Sequence, residues 1–118
     1  MDDDPDVLTV IQKALQKWDL ISDGFTDPEK ALDHFTRNSQ MYSLVISDVK
    51  MPEMNGFAFL ERVTEINPQV KVMMMTAYFS DMLEIPKVLE GILRIDAILE
   101  KPSGIKTICK HVQKQLRR

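Results

Sequence analysis

The sequence has little cysteine, no excess of positive charge and no long apolar run. Its single cysteine, Cys109, cannot form a disulfide within the chain or make a zinc site alone, so we expect a reducing, cytoplasmic setting. The net charge of −3 argues against a nucleic-acid surface, which is normally basic. No apolar run approaches the roughly 20 residues that a membrane helix needs. The acidic N-terminus is the reverse of a signal peptide's basic start. We therefore expect neither a nucleic acid nor a membrane as a partner.

The length and composition of the sequence fit one compact α/β domain. A length of 118 residues leaves room for one domain, and 44% hydrophobic with 28% charged residues is close to the globular average. Short runs rich in apolar and β-branched residues predict strands at 44–47, 70–75 and 95–99, with a weaker one at 19–22. Such runs are typical of strands buried on both faces of a parallel sheet. Segments of helical periodicity alternate with them, which predicts right-handed βαβ units.

Helix boundary signals agree with this alternation. Asp4-Pro5 and Asp27-Pro28 each read as an N-cap followed by a proline in the first helical turn. Asn67-Pro68 predicts the end of the third helix before the next strand. The segment 80–91 has helical composition, but Pro86 predicts a kink or a helix that starts there.

Polar and charged residues follow the ends of the predicted strands. Asp48, Thr76 and Lys101 each come after one strand, and Asp2–Asp4 precede the first helix. Because the carboxyl ends of parallel strands meet at one edge, we expect these residues to lie close together. Carboxylates brought together repel unless a hard cation such as Mg²⁺ lies among them. A lysine and a hydroxyl nearby suit a phosphoryl group, and a carboxylate can attack phosphorus as a nucleophile.

At these residues the chain resembles the receiver domain of two-component response regulators. Four motifs in order carry the resemblance: Asp2-Asp3 before Asp4-Pro5-Asp6, Val45-Ile46-Ser47-Asp48-Val49-Lys50-Met51-Pro52 with Asn55-Gly56, Met75-Thr76-Ala77, and Leu99-Glu100-Lys101-Pro102. Each motif is weak alone, but together they span nearly the whole chain. The resemblance implies a flavodoxin-like, doubly wound parallel sheet of order 2-1-3-4-5 with five helices. It also implies a sensor histidine kinase as a partner.

The resemblance implies a role for each matching residue. Asp48 would accept the phosphoryl group. Asp3 would bind Mg²⁺ directly, with Asp2 acting nearby and partly through water, and Asp48 and the backbone carbonyl of Lys50 would complete the protein ligands.

The remaining two site residues would act on the phosphoryl group. Thr76 would hydrogen-bond a phosphoryl oxygen, and Lys101 would pair first with the acceptor and then with the phosphoryl group. Without an output domain among residues 1–118, such a switch would signal by binding a downstream protein or by passing the phosphoryl group on. The sequence does not name that protein.

One departure from the family concerns its first strand. That strand would precede Asp2, and only Met1 remains of it. We therefore expect a receiver domain shortened at its N-terminus by about one central strand, with the sheet open between 19–22 and 44–47. A domain lacking this strand would be unstable alone, because about five apolar side chains would lose roughly 1.5–3 kcal/mol each. An internal start of the sequence, partial unfolding and a strand from another chain remain open.

Further departures lie around the switch. The family often has Tyr or Phe three positions before the lysine, where this chain has Ile98, and the segment from Thr76 to Lys101 is longer than usual. The residues that flank the approach of hydrolytic water would be Lys50 and Tyr78, which predicts slow loss of the phosphoryl group.

Two other functions remain open at the sequence level. The first is a pseudo-receiver, an interaction module that never needs phosphate. The second is a phosphatase with an aspartate nucleophile, which needs an acid/base aspartate two residues after the nucleophile; position 50 is lysine.

Overall fold

The computed structural model describes residues 1–49, 51, 53–76, 95–100 and 105–116. The helices in these ranges are α1 (Pro5–Lys17), α2 (Pro28–Asn38), α3 (Gly56–Ile66) and α4 (Ile105–Leu116), with a short 3₁₀ turn at Ser39–Met41. The strands are β1 (Leu44–Asp48), β2 (Lys71–Thr76) and β3 (Ala97–Glu100). Among the described helices, none has the length and apolarity to cross a membrane.

The three described strands form one parallel sheet in the order β1-β2-β3. Asp48 pairs with Met75 across β1 and β2, and Met75 pairs with Leu99 across β2 and β3. The predicted strands near 44–47, 70–75 and 95–99 are confirmed, as is their parallel direction. The predicted helix around Pro86 lies outside the described residues.

Side chains of β2 point alternately into two separate cores. Val72 and Met74 belong to a core with α2 and α3, whereas Met73 and Met75 belong to a core with α1 and α4. The exposed fraction of these four side chains is between 0% and 2%. Because strand side chains alternate with a period of two, a continuous apolar run is what a strand between two helical layers requires. The methionine run is therefore core packing.

The helix ends follow the predicted boundary signals. The carboxylate of Asp4 accepts the backbone N–H of Asp6 at 2.9 Å, and Asp27 accepts that of Glu29 at 2.9 Å. The third helix ends at Ile66, immediately before Asn67. These caps satisfy backbone donors that the first helical turn leaves without intrahelical partners.

The predicted strand at 19–22 is wrong. Asp19 has φ 60°, in the left-handed region, and the backbone N–H of Leu20 reaches back to the carbonyl of Leu15 at 2.9 Å. This pattern is a helix C-terminal cap, so the first half of the predicted strand belongs to the end of α1. The rest of the segment is irregular, and Ile21 is fully exposed. The described sheet therefore contains only the 3-4-5 part of the expected order.

The first two residues lie against the outer edge of β1. The amino group of Met1 donates to the carbonyl of Ile46 at 2.7 Å, and the N–H of Asp48 donates to the carbonyl of Met1 at 2.9 Å. On the other side, the N–H of Asp2 donates to the carbonyl of Phe25 at 3.1 Å. The chain thus enters between β1 and the segment that ends at Phe25, and this position places the first acidic residues beside the end of β1.

Candidate functional site

Three carboxylates meet at the carboxyl end of β1. Oxygen atoms of Asp2, Asp3 and Asp48 all lie within 4.8 Å of one another. Asp2 and Asp48 are buried, with 1% and 8% of their surface exposed, whereas Asp3 is exposed. The structure therefore brings together the three acidic residues that were expected at this edge.

Backbone hydrogen bonds hold the N-terminal part of this cluster in place. The N–H of Asp48 donates to the carbonyl of Met1, so the end of β1 is bonded directly to the residue before Asp2. An oxygen of Asp2 accepts the backbone N–H of Asp4 at 3.0 Å, and Asp4 in turn caps α1. Asp2 is thereby positioned between the strand edge and the start of the helix, and Asp3 follows on the solvent side.

The loop after Asp48 packs tightly against the start of α3. The carboxylate of Asp48 accepts the N–H of Val49 at 3.0 Å. The carbonyl of Val49 accepts the N–H of Gly56 at 2.7 Å. A Cβ atom at Gly56 would lie 2.1 Å from the carbonyl oxygen of Asp48 and 2.7 Å from the Met74 methyl group. Only glycine permits this approach.

From the sequence, Gly56 was recognised only as part of the Asn55-Gly56 motif. Its close contact with the backbone of Asp48 was not predicted. The signal in the sequence was Asn55-Gly56, which also starts the helix: the Asn55 side chain accepts the N–H of Ala58 at 2.8 Å. The contact with the backbone of Asp48 depends on two segments that only the fold brings together.

The donor set of the acidic cluster fits a hard divalent cation. Carboxylate oxygens are the ligands that Mg²⁺ prefers, and Mg²⁺ keeps several waters in its coordination shell. Two buried carboxylates and one exposed one provide protein oxygens on the inner side and access for water on the outer side.

The other predicted site residues are described only in part. Thr76 is the last residue of β2, and its backbone pairs with Glu100 of β3. Thr76 therefore lies at the same edge of the sheet as Asp48. Its side chain lies outside the described part of the structure. Lys50 and Lys101 also lie outside the described residues.

Ile98 takes the place of the expected aromatic residue in β3. Its side chain is partly buried and packs against the core between the sheet, α2 and α3. It contributes to the core at the position where the resemblance implies a rotating ring.

The family model of the response regulator receiver domain matches residues 1–113. The chain belongs to this family. It is 28% identical to the response regulator receiver protein CpdR of Brucella abortus over 98% of this chain and 92% of that protein. It is 35% identical to the transcriptional regulatory protein ZraR of Escherichia coli over 68% of this chain, but this match spans only 18% of ZraR.

A solved structure shares the fold of this receiver domain. The response regulator TrrA of Thermotoga maritima, in complex with Mg²⁺ and BeF, superposes with a TM-score of 0.81 at 24% identity, over 98% of this chain and 94% of that one. The flavodoxin-like α/β fold is thereby confirmed. The chain is a phosphorylatable receiver domain of two-component signalling, in which histidine kinases generally phosphorylate receivers. Such domains are signalling switches and not enzymes that turn over an external substrate.

Proposed function

We propose that this receiver domain is a Mg²⁺-dependent switch that accepts a phosphoryl group on Asp48 from a sensor histidine kinase. The observation that carries the proposal is the convergence of Asp2, Asp3 and Asp48 within 4.8 Å at the edge where β1 and β2 both end. Such a cluster places a nucleophilic carboxylate beside groups able to hold a cation.

Asp2, Asp3 and Asp48 would hold the metal, and the family resemblance adds the backbone carbonyl of Lys50. The proximity of three carboxylates supports this assignment, because their oxygens lie within 4.8 Å of one another and carboxylate oxygens are the ligands that Mg²⁺ prefers. The Mg²⁺ complex of TrrA, which has the same fold, supports it further. When bound, the cation neutralises negative charge at the acceptor and on the incoming phosphoryl oxygens.

In the proposed transfer, an Asp48 oxygen forms a bond to phosphorus while the phosphorus–nitrogen bond of the kinase's phosphohistidine breaks. The freed imidazole nitrogen keeps the electron pair of that bond. Thr76 would donate a hydrogen bond to a phosphoryl oxygen, and Lys101 would pair with its charge. Both assignments come from the family resemblance.

The proposed output is a change in binding to a downstream protein or transfer of the phosphoryl group to another carrier. A cytoplasmic setting suits a histidine kinase partner, and the buried, unpaired thiol of Cys109 is compatible with reducing conditions. Burial raises the pKa of that thiol, which makes it a poor nucleophile and keeps it out of the chemistry.

The test is phosphoryl uptake from a small phosphodonor such as acetyl phosphate, followed by intact-protein mass spectrometry. The parent chain should gain one phosphoryl group with Mg²⁺ and none in excess chelator, and Asp48→Asn should gain none. Asp33→Asn is the matched control, because Asp33 is exposed on α2 and pairs with Arg37, 3.2 Å away. Equal uptake by Asp48→Asn and the parent would refute Asp48 as the acceptor.

A second variant tests the metal assignment without disturbing the core. Asp3 is the exposed member of the cluster, so Asp3→Asn should leave the fold intact. Calorimetric titration should show Mg²⁺ affinity reduced by at least about tenfold, since even outer-shell changes at metal sites cost that much. Asp6→Asn, in the first turn of α1, is the control. Unchanged affinity in Asp3→Asn would remove Asp3 from the metal site.

The same experiments separate the switch from a pseudo-receiver module. A module that never needs phosphate would take up none from acetyl phosphate even when Mg²⁺ binds. That result in a folded parent chain would favour the interaction module and overturn the switch.

A further inference from the structure

Ser47 is a polar residue inside an otherwise apolar layer of the fold. It is the next-to-last residue of β1 and pairs with Met74 of β2. Because side chains alternate along a strand, Ser47 lies on the same face as Val45 and Val49, which contribute to the core with α2 and α3. Its exposed fraction is 0%. A buried hydroxyl costs free energy unless a hydrogen bond compensates, so the partner of Ser47 indicates what this residue does.

The partner of this hydroxyl is the peptide unit that joins Asp48 to Val49. Ser47 Oγ donates to the carbonyl of Asp48 at 2.8 Å. The N–H of the same peptide unit belongs to Val49. It donates to Oδ1 of the Asp48 carboxylate at 3.0 Å and to the carbonyl of Met75 at 3.0 Å. One planar group therefore connects the Ser47 hydroxyl to the carboxylate that we propose as the acceptor.

The planarity of this peptide makes its contacts depend on one another. Its C=O and N–H point in opposite directions, so a donor that fixes the carbonyl of Asp48 also fixes the direction of the Val49 N–H. Gly56 restricts the carbonyl from a second side, since a Cβ there would lie 2.1 Å from the carbonyl oxygen. Rotation of this peptide would take the N–H away from Oδ1 and would turn the carboxylate relative to Asp2 and Asp3.

We propose that Ser47 is a positioning residue for phosphoryl acceptance, an inference that rests on the proposed function of Asp48 as the acceptor. The Ser47 hydroxyl holds the 48–49 peptide, and the N–H of that peptide holds the Asp48 carboxylate in one orientation toward the acidic cluster. Because the attacking oxygen must be aligned with phosphorus and the leaving group, loss of this orientation lowers the rate of transfer. Ser47 acts through Asp48 and takes no part in the bonds that form and break.

The small size of serine is the competing explanation for its presence. The start of α3 approaches the end of β1 closely at Gly56, and any small side chain at position 47 would allow that packing. The two explanations predict opposite results. If only size matters, alanine is tolerated at this position and threonine is not. If the hydroxyl matters, alanine impairs phosphoryl acceptance and threonine restores it.

The test compares the rates at which the parent chain, Ser47→Ala and Ser47→Thr take up a phosphoryl group from acetyl phosphate with Mg²⁺. Intact-protein mass spectrometry follows uptake over time. We expect Ser47→Ala to react at least about tenfold more slowly, since small misplacements of reacting atoms have effects of this size. Ser47→Thr keeps the same donor and should react within about threefold of the parent rate. Thr36→Val is the matched control, because it removes a hydroxyl that donates to the backbone carbonyl of Leu32 at 2.7 Å on α2.

Hydrogen exchange at the Val49 amide gives a readout that does not depend on phosphoryl transfer. Nuclear magnetic resonance measures this exchange in the same variants without a phosphodonor. The amide should exchange about tenfold faster in Ser47→Ala than in the parent chain and should be unchanged in Thr36→Val. If circular dichroism shows that Ser47→Thr does not fold, the uptake rate and the Val49 amide of Ser47→Ala decide the question.

Three outcomes would overturn the proposal while Asp48 remains the acceptor, as shown by uptake in the parent chain and none in Asp48→Asn. The first is a parental rate of uptake in Ser47→Ala. The second is a folded Ser47→Thr that reacts no faster than Ser47→Ala. The third is slower uptake in Ser47→Ala with unchanged exchange at Val49, because the peptide would then not carry the effect. A parent chain that takes up no phosphoryl group would instead overturn the proposed function, and this inference with it.

Discussion

The candidate site depends on a few residues whose positions are set by main-chain contacts more than by side-chain contacts. The carbonyl of Met1 accepts the N–H of Asp48, and this bond, together with that from the Met1 amino group to Ile46, holds Asp2 and Asp3 at the end of β1. Gly56 then allows the loop after Asp48 to pack against the start of α3. Changes at these residues should act on both stability and phosphoryl uptake.

At this scale, Gly56→Ala should destabilise the domain and lower phosphoryl uptake. An added Cβ would lie 2.1 Å from the backbone oxygen of Asp48, and backbone cannot move aside as a flexible side chain can. Overpacking of this kind costs about 1–3 kcal/mol of unfolding free energy. Urea denaturation measures the loss.

Gly24→Ala is the matched control for that change. A Cβ there would meet only the end of the Gln12 side chain, at 3.0 Å. This side chain can rotate away, so we expect a loss well below that of Gly56→Ala. Equal losses for the two variants would contradict the proposed role of the Gly56 contact.

The lifetime of the phosphoryl group is a second property of individual residues. Lys50 and Tyr78 lie outside the described residues, and their role here follows from the family resemblance. Neither side chain has a carboxylate or an amide to orient an attacking water, and both are bulky. We therefore expect the double variant Lys50→Asn, Tyr78→Glu to lose its phosphoryl group faster than the parent chain, by about tenfold.

The measurement is the half-life of phosphorylated protein after removal of the donor, at one Mg²⁺ concentration and one pH. An equal or longer half-life in the double variant would mean that these side chains do not limit the attack of water on the phosphoryl group.

At the scale of elements, the segment after α1 is held by side chains instead of by strand pairing. The hydroxyl of Tyr42 donates to Asp23 in the segment and also contacts the ring nitrogen of His34 on α2. The ring of Phe25 lies 5.1 Å from that of His34. These contacts fasten residues 20–25 to α2.

Tyr42→Phe should loosen this segment and change how stability depends on pH. Burial, followed by the Asp23 carboxylate, raises the pKa of Tyr42 to about 12. The folded protein therefore holds this proton more tightly than the unfolded chain. The contribution is complete below pH 10, the ordinary pKa of tyrosine, and is lost as the pH rises toward about 12. We expect a loss of about 1 kcal/mol at neutral pH for the missing hydrogen bond.

Urea unfolding at pH 7 and across pH 9.5–11.5 tests this prediction. The difference in stability between the parent chain and Tyr42→Phe should shrink as the pH rises through that range. A difference that stays constant would show that the Tyr42 hydroxyl contributes no pH-dependent stability.

Across the protein as a whole, two cores share one sheet, and the first three residues of β1 are only partly buried. Side chains of both cores line a groove of about 290 Å³ along the outer edge of β1, between residues 20–25 and residues 41–46. Filling that groove with an apolar strand would complete both cores at once. We therefore expect a variant with five valine and isoleucine residues added directly before Met1 to melt at least about 10 °C higher than this chain.

Scanning calorimetry provides the comparison, and the control is an addition of equal length in which serine and glycine alternate. Equal melting temperatures for the two extended chains would show that filling the groove contributes nothing to global stability.

Features that depend on local pattern could be predicted from the sequence alone. The apolar runs predicted β1, β2 and β3 to within one or two residues, and Asp4 and Asp27 marked the starts of α1 and α2, because strand burial and helix capping leave signatures within a few positions. The acidic cluster was predictable for a related reason, since residues that follow parallel strands must share one edge.

Features that depend on contacts between distant segments became visible in the three-dimensional fold and could not be predicted from the sequence. Residues 19–22 contain strand-forming residues, but the end of α1 draws Asp19 and Leu20 into its cap, and the described structure pairs no strand with the remainder. The need for glycine at position 56 and the ladder position of Met1 likewise arise where separate segments meet. The residues next to a position in the sequence do not predict such contacts, because the contacts depend on how the whole chain packs.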